Sequence, residues 1–261
     1  MKRLTLLLLA AAALAGCDAF SSEPTYGGLS VEGFNYTPYN LDRFVIKDKY
    51  GNSASGGGDL VPGAGEGSLS CCYKLKGTDF VVDWYLADQD EFLKNPYGKL
   101  QEIHRTTQVH IPPTKVSGGA GDLVLGLHFY PDDHVEPEFR NDLKGTRIFY
   151  ADIWDQLRKK NNNLLNPDNE EDGVVFRKVA RLAAAGWTKY HLTNTQDLEQ
   201  YVYFTLLNPN FDQHPAVRRI IQDTQGKPGA FGSAMKQLPN SVIEDLKRNH
   251  FEQISAGAQH G

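Results

Sequence analysis

The sequence has few cysteines, few methionines and no apolar run long enough to span a membrane. Its 261 residues include 3 cysteines and 2 methionines, which excludes a small domain held together by disulfides. An apolar stretch at residues 4–14 is about half the ~20 residues that a helix needs to cross a bilayer. Lys and Arg total 27 against 32 Asp and Glu, a net charge of −5. That balance argues against a general nucleic-acid-binding protein, whose binding face is normally basic.

Motifs of common catalytic sites are also absent. The chain has no G-x-S-x-G, no H-E-x-x-H and no C-x-x-C, and nothing in it nominates a nucleophile or a paired-carboxylate site. Residues 51–67 contain seven glycines, but the Lys-Ser or Lys-Thr of a phosphate-binding loop does not follow. We expect a flexible hairpin loop or insertion there. The sequence therefore predicts no enzyme activity and no cofactor, with an envelope hydrolase whose site forms only on folding as an alternative.

The amino terminus carries the strongest signal. A basic Met1-Lys2-Arg3 and the apolar stretch precede Leu14-Ala15-Gly16-Cys17, which resembles a bacterial lipobox. In that motif the cysteine thiol accepts diacylglycerol, and the new amino terminus is usually acylated as well, so that several chains give stable anchoring. An ordinary secretory signal with a coincidental cysteine is the alternative.

This motif divides the start of the chain. We predict a lipoprotein signal peptide at residues 1–16 and a lipidated tether at 17–27, with Cys17 as the lipidation site. The mature chain then has 245 residues and a net charge of −7, because Lys2 and Arg3 are lost. Asp18 resembles an inner-membrane retention signal and favours the inner membrane, with an outer-membrane location as the alternative. We expect the protein in the bacterial cell envelope, lipid-anchored and facing the periplasm.

Glycine and charge divide the rest into two parts. Residues 17–145 hold 17 glycines with 11 basic and 19 acidic residues, and 146–261 hold 7 glycines with 14 basic and 13 acidic residues. We predict an α+β protein, with a Gly-rich acidic β domain at 28–145 that forms an antiparallel sheet or sandwich, and a helical domain or subdomain at 146–261. The predicted strands are residues 29–36, 43–50, 80–86, 107–111 and 122–130, and the predicted helices are 147–160, 175–187, 197–207 and a segment from Pro215.

Two adjacent cysteines remain after the lipobox. Cys71 and Cys72 could form a vicinal disulfide in an oxidising compartment. Neighbouring residues of an undistorted strand point to opposite faces, which would keep the two sulfurs apart. The alternative is a pair of reduced, mostly buried thiols.

Four histidines form two pairs, each six residues apart: His104 with His110, and His128 with His134. An even offset places each pair on one sheet face if the chain between them is extended. No acidic ligand is clearly paired with them, and Pro131 interrupts the second pair. We therefore favour dispersed histidines over a metal site.

Several motifs of the β half occur in an order that resembles a known family. They are Gly33-Phe-Asn-Tyr-Thr37, Gly56-Gly-Gly58, Cys71-Cys-Tyr-Lys-Leu75, Val81-Val-Asp-Trp84, Val109-His-Ile-Pro112 and Leu127-His-Phe-Tyr-Pro-Asp-Asp-His-Val135. Together they are similar to the bacterial lipoprotein family catalogued as domain of unknown function 3304. The resemblance covers about residues 28–145. This chain departs from it in an insertion at 59–70 and in the absence of a proline after Leu75.

The resemblance implies a function without catalytic residues. Members of that family resemble immunity lipoproteins that accompany type VI secretion and phospholipase effectors. It implies that this chain binds and inhibits a cognate secreted effector, a phospholipase toxin, while Cys17 holds it at the membrane. The alternative is a non-catalytic envelope binding or assembly lipoprotein of the secretion system. The partner-binding residues cannot be assigned from the sequence, and we expect Tyr130, Trp154 and Trp187 to belong to the core.

Overall fold

The computed structural model describes residues 23–63, 69–99, 101–114, 123–142 and 145–248. Within these ranges a β half precedes a helical half, which confirms the predicted α+β class. The strands are β1 (Thr25–Asn35), β2 (Asn40–Asp48), β3 (Ser53–Leu60), β4 (Ser70–Lys76), β5 (Asp79–Ala87), β6 (Glu102–His110), β7 (Leu123–Phe129) and β8 (Val135–Arg140). The helices are α1 (Gln89–Lys94), α2 (Tyr150–Leu165), α3 (Asp172–Tyr190), α4 (Thr195–Leu207), α5 (Pro215–Thr224), α6 (Ala230–Met235) and α7 (Asn240–Arg248).

The strands form two four-stranded sheets. The first sheet has the order β4-β1-β7-β8, and the second has the order β3-β2-β5-β6. The second sheet is antiparallel throughout, but β1 and β7 run parallel, with Leu29 opposite Leu123 and Asn35 opposite Phe129. The prediction of an antiparallel sheet is therefore wrong at this pair. Five strands, β2 to β6, lie between β1 and β7 in the sequence. They provide the long connection that a parallel pair requires.

The two sheets enclose one apolar core. Its central rings are Phe44 and Trp84 of the second sheet and Phe129 of the first, and all three are fully buried. The ring centroid of Phe129 lies 5.1 Å from that of Phe44 and 5.1 Å from that of Trp84. Aromatic side chains bury large apolar areas, so this contact contributes strongly to the packing of the two sheets.

The glycine-rich segment is a strand and not the expected loop. Residues 53–60 form β3, which pairs with β2 so that Gly56 lies opposite Phe44. A Cβ atom at Gly56 would lie 2.6 Å from the Phe44 ring, and one at Gly33 would lie 2.7 Å from it. The glycines therefore make room for a large core ring, which the composition alone could not indicate. The remaining part of the segment, 64–68, lies outside the described residues.

Strand β1 begins within the range predicted for the tether, 17–27. It starts at Thr25, and Tyr26 is buried with its ring centroid 4.7 Å from that of Phe139. Residues 25–27 of that range thus lie in the first strand. The signal peptide, Cys17 and Asp18 lie outside the described residues. In the part of the chain that is described, no helix has the length and apolar character needed to cross a membrane.

Helices cover the outer face of the first sheet. β7 is buried along its whole length, and β1 is buried from Leu29 to Asn35, so both faces of these strands are covered. Phe34, Tyr36 and Tyr130 share a second apolar cluster with side chains of α2, α3 and α4. Tyr130 and Trp187 are buried as expected, and Trp154 packs at the edge of this cluster.

The close contact of Gly56 with Phe44 predicts a strong difference between two glycine positions. Gly56→Ala should lower the free energy of unfolding by about 1–3 kcal/mol, because the new methyl group overpacks the core. Gly27→Ala is the matched control in β1, since nothing lies within 4 Å of a Cβ there, and it should change stability by less than about 0.5 kcal/mol. Urea denaturation measures both values. Equal effects of the two substitutions on the free energy of unfolding would show that the contact with Phe44 does not require glycine at position 56.

Candidate functional site

The densest cluster of titratable side chains lies where the first sheet meets the helices. β7 supplies His128, β8 supplies Glu136 and Glu138, and the chain before α2 supplies Arg147. In the pairing of β7 with β8, His128 lies opposite Glu136, and Gly126 lies opposite Glu138. Side chains at alternate strand positions share a face, so these groups project together towards the helices.

Hydrogen bonds join this cluster into one network. The Tyr36 hydroxyl lies 3.0 Å from Nδ1 of His128, and Nε2 of His128 lies 3.0 Å from Oε2 of Glu138. The backbone N–H of Arg147 donates to the Tyr36 hydroxyl oxygen at 2.9 Å. The network is satisfied when Tyr36 donates to Nδ1 of a neutral His128 that carries its proton on Nε2. We call these residues, with Glu136, the buried network, because Tyr36 and His128 at its centre are fully buried. The side chains of Glu136, Glu138 and Arg147 at its rim are 48%, 41% and 39% exposed.

The guanidinium of Arg147 closes the buried network. It bonds to Glu136, and its Nη2 donates to Oε2 of Glu138 at 3.2 Å. Its Nη1 also donates to the Tyr130 hydroxyl at 2.9 Å. Burial by itself raises the pKa of both glutamates. The hydrogen bonds from Arg147 and the neighbouring histidines lower each pKa by more than burial raises it, so both pKa values lie below the usual range. The two carboxylates are therefore ionised and paired with one cation.

Burial sets the protonation states of the other two groups. Desolvation, and then the charge of Arg147, lower the pKa of His128 from its usual 6.5 to about 4. Burial raises the pKa of the Tyr36 hydroxyl well above its usual range. At neutral pH the histidine is uncharged and the phenol keeps its proton. A protonated phenol is a poor nucleophile, which argues against covalent catalysis by Tyr36.

The geometry of the buried network indicates a structural role. Tyr36 and His128 are fully buried, and the His128 ring stacks on Phe34 with centroids 4.6 Å apart. From the first residue of α2, the Tyr150 hydroxyl donates to the backbone carbonyl of Tyr36 at 2.8 Å. Together with Arg147 it fixes the start of α2 to the end of β1.

A cleft of about 420 Å³ lies in the helical half, lined by residues of the α3–α4 connection and of α5. Its buried carboxylate, Asp197, accepts the backbone N–H groups of Gly229 and Gly232, each at 2.7 Å. These donors belong to the start of α6, so Asp197 holds that helix in place. The carboxylate is thereby occupied and is a poor candidate for a catalytic base.

The two histidine pairs differ in the fold, because only the first pair lies on one face of a sheet. His104 and His110 both lie exposed on the outer face of the second sheet, beside Asp83 and Asp79 respectively. The second pair does not share a face, because β7 ends at Phe129 and the chain turns at Pro131. His128 is buried, whereas the His134 ring stacks on Tyr130 with centroids 4.4 Å apart. Within the described ranges, no three His, Cys, Asp or Glu residues form a group able to hold a metal ion.

The adjacent cysteines lie on β4 at the edge of the first sheet. Both side chains are exposed, and a disulfide joins Cys71 to Cys72 across a cis peptide bond. An exposed disulfide at a sheet edge differs from the alternative of two reduced, buried thiols. Cys17, the predicted lipidation site, lies outside the described residues.

Residues of the family-like motifs build the sandwich. The Asn35 amide donates to the carbonyls of Tyr39 and Leu60 at 2.7 and 2.8 Å. Its carbonyl oxygen accepts the Thr37 backbone N–H and hydroxyl at 3.1 and 2.8 Å. Asn35 thus ties the β1–β2 connection to the end of β3. The motif around Asn35 maintains the fold, whereas Asp83 and His110 of two other motifs line an open cleft on the second sheet.

The outer face of the second sheet carries an array of exposed polar and aromatic side chains. The Arg43 guanidinium lies 4.0 Å from the centre of the Tyr85 ring, which stacks on His104 at 4.5 Å. Next to them, hydrogen bonds from Lys47 and Thr106 lower the pKa of Asp83 to about 2. Tyrosine and arginine are frequent at protein-binding hot spots. Such a face suits contact with a partner better than chemistry.

Comparison of the chain with protein-family models, with curated proteins and with solved structures found no match. Its function is therefore argued from its own residues. The structure brings His128 together with Glu138 and Arg147, which no motif search singled out. Tyr36 and His128 stand in two of the family-like motifs, but nothing in the sequence indicates that they contact each other.

The buried network predicts a pH-dependent stability. The pKa of His128 is about 4 in the folded chain and about 6.5 in the unfolded chain. Between these values the unfolded chain binds a proton that the folded chain does not, so stability falls as the pH drops from about 6.5 to 4. The loss from this group is at most about 3.5 kcal/mol, at ~1.4 kcal/mol per pKa unit. Urea denaturation at pH 4, 5, 6 and 7 measures it.

Substitution of the histidine should remove this part of the pH dependence. His128→Gln should flatten the decline between pH 6.5 and 4 and should cost about 2 kcal/mol at pH 7, because buried partners lose hydrogen bonds. His110→Gln, on the exposed face, is the control and should leave the profile of the wild type. An unchanged profile in His128→Gln would contradict the assignment of His128 as a buried neutral base.

Proposed function

We propose that this chain is a lipoprotein, anchored to the membrane through Cys17 and facing the periplasm, that binds and inhibits a cognate type VI secretion effector of the phospholipase class. In this proposal it is an immunity protein and not an enzyme. It acts by occlusion, either by filling the active-site cleft of the toxin or by blocking a motion that the toxin needs.

The observation that carries the proposal is the order of the first seventeen residues. A basic start, an apolar stretch and Leu14-Ala15-Gly16-Cys17 follow one another as they do in lipoprotein signals. A lipid-attacking toxin must reach the membrane, so a tethered inhibitor is present where the toxin arrives. Tethering also raises the effective concentration of the inhibitor there.

The chemistry of the described residues supports a binding role. The buried network is satisfied by its own hydrogen bonds, and Tyr36 keeps its proton. Asp197 in the helical cleft is occupied by backbone N–H groups. An inhibitor needs a stable surface and no reaction centre, which agrees with both observations. The excess of acidic residues in the β half could in addition steer a basic partner, although acidic surfaces also serve solubility.

Co-expression in the periplasm tests the proposal. Cells that produce the phospholipase effector encoded next to this chain should survive when the full-length chain is present and should lyse when it is absent. The two proteins should also co-purify from detergent extracts. Equal killing with no complex would refute the immunity function. Binding to a structural component of the secretion system, with a secretion defect on deletion, would instead favour the assembly role.

Removal of the lipidation site gives a separate prediction. Cys17→Ser should abolish labelling with a fatty-acid probe such as alkyne-palmitate and should reduce the membrane-bound fraction about tenfold or more, because the acyl chains supply the anchoring. Cys71→Ser with Cys72→Ser is the control and should keep the label. Continued labelling of Cys17→Ser would show that the chain is not a lipoprotein of this type.

A further inference from the structure

The connection between β5 and β6 presents large apolar side chains to solvent. It contains α1, in which no residue is buried. Leu93 is 52% exposed, Phe92 is 38% exposed, and Tyr97 in the following turn is 100% exposed. We call these three residues the apolar tip. Several large apolar side chains exposed on one short connection are typical of a contact site.

Ion pairs fix the base of the tip to the helical half. Asp88 accepts the backbone N–H of Asp90 at 2.9 Å, so it caps the start of α1. Arg181 of α3 donates to Asp88 at 3.0 Å and also pairs with Asp90. Arg177, one helical turn earlier, pairs with Asp90 as well. We call these four residues the clamp.

The clamp holds the tip in an ordered conformation before any partner binds. Arg177 and Asp90 are mostly buried, with side chains 13% and 21% exposed, so water screens this ion pair less than a surface pair. Desolvation raises the pKa of Asp90, but the hydrogen bonds from Arg177 and Arg181 outweigh it and lower this pKa. A segment that is already ordered loses less conformational entropy on binding.

The tip lies at the end of the sandwich opposite the tether. The carbonyl of Pro24, just before β1, accepts the backbone N–H of Gly77 at 2.8 Å. The next strand, β5, starts at Asp79, and the tip follows its last residue, Ala87. Nine residues of strand span about 27 Å. A lipid anchor on the tether therefore holds the opposite end of the sandwich near the membrane, and the tip is directed away from it.

We propose that the apolar tip enters an apolar cleft of the partner enzyme, the cleft in which a phospholipase binds the acyl chains of its substrate. The inference rests on the proposed function. A projecting apolar element fits a concave apolar surface, and an enzyme that binds acyl chains must offer one. The position away from the tether favours a protein that approaches from the periplasm over the membrane to which the chain is anchored.

Two triple variants of the full-length chain test the tip. The first replaces Phe92, Leu93 and Tyr97 by serine. The control replaces Tyr50, Val61 and Leu69 by serine, which are 45%, 47% and 44% exposed elsewhere on the β half. Binding is titrated in detergent with the phospholipase effector encoded next to this chain, and cell survival is measured in parallel. Circular dichroism and thermal unfolding confirm that both variants fold.

The tip variant should bind the effector about 30-fold or more weakly, as expected when hot-spot residues are removed, and should no longer protect cells. The control variant should bind and protect like the wild type. Arg177→Gln keeps all three apolar side chains but weakens the clamp, and we expect it to bind about tenfold more weakly. If Arg177→Gln loses less affinity for the effector than the tip variant does, the contribution of ordering the tip is distinguished from that of the apolar contact.

The outcomes distinguish this inference from the proposed function. If the wild type does not bind the effector, the proposed function fails and the inference fails with it. If the wild type binds and the tip variant binds equally well, the inference is wrong while the proposed function stands. Phosphatidylethanolamine–phosphatidylglycerol vesicles supply the last comparison. If the tip variant loses binding to vesicles but keeps binding to the effector, the tip is a membrane contact and the inference is overturned.

Discussion

The arrangement of the molecule depends on one constraint, which is that β1 and β7 are covered on both faces. Their inner face packs against the second sheet, and their outer face packs against the helices, so polar groups on the outer face must find partners within the protein. The buried network provides them through His128, Glu138 and Arg147. Because Arg147 and Tyr150 both bond to Tyr36, the same contacts fix the orientation of the helical half.

That orientation in turn determines which surfaces remain for a partner. α3 packs against the sandwich and carries the two arginines of the clamp, so the β5–β6 connection is held at the end of the sandwich and its apolar side chains face outward. The buried network and the exposed tip thus have different roles. The first joins the sheet to the start of the helical half, and the second presents apolar side chains to solvent.

The general architecture could be predicted from the sequence because it follows from local patterns. Helical spacing of apolar residues gave α3 and α4 to within a few residues, and alternating or β-branched segments gave most strands. The parallel pairing of β1 with β7 is a non-local choice without a local signal. Strand β3 depends on the Phe44 ring of the neighbouring strand, a packing contact that composition does not reveal. The six residues of α1 bury no side chain that could produce a pattern. The chemistry around His128 likewise arises only from the pairing of β7 with β8.

The central claim is that this chain inhibits a lipid-attacking enzyme by binding it. The most direct measurement is a titration of the purified effector with the full-length chain in detergent, with release of fatty acid from phospholipid as the readout. The account predicts that activity falls to its residual level at about one equivalent of the chain. Undiminished phospholipase activity at an excess of the chain would contradict it.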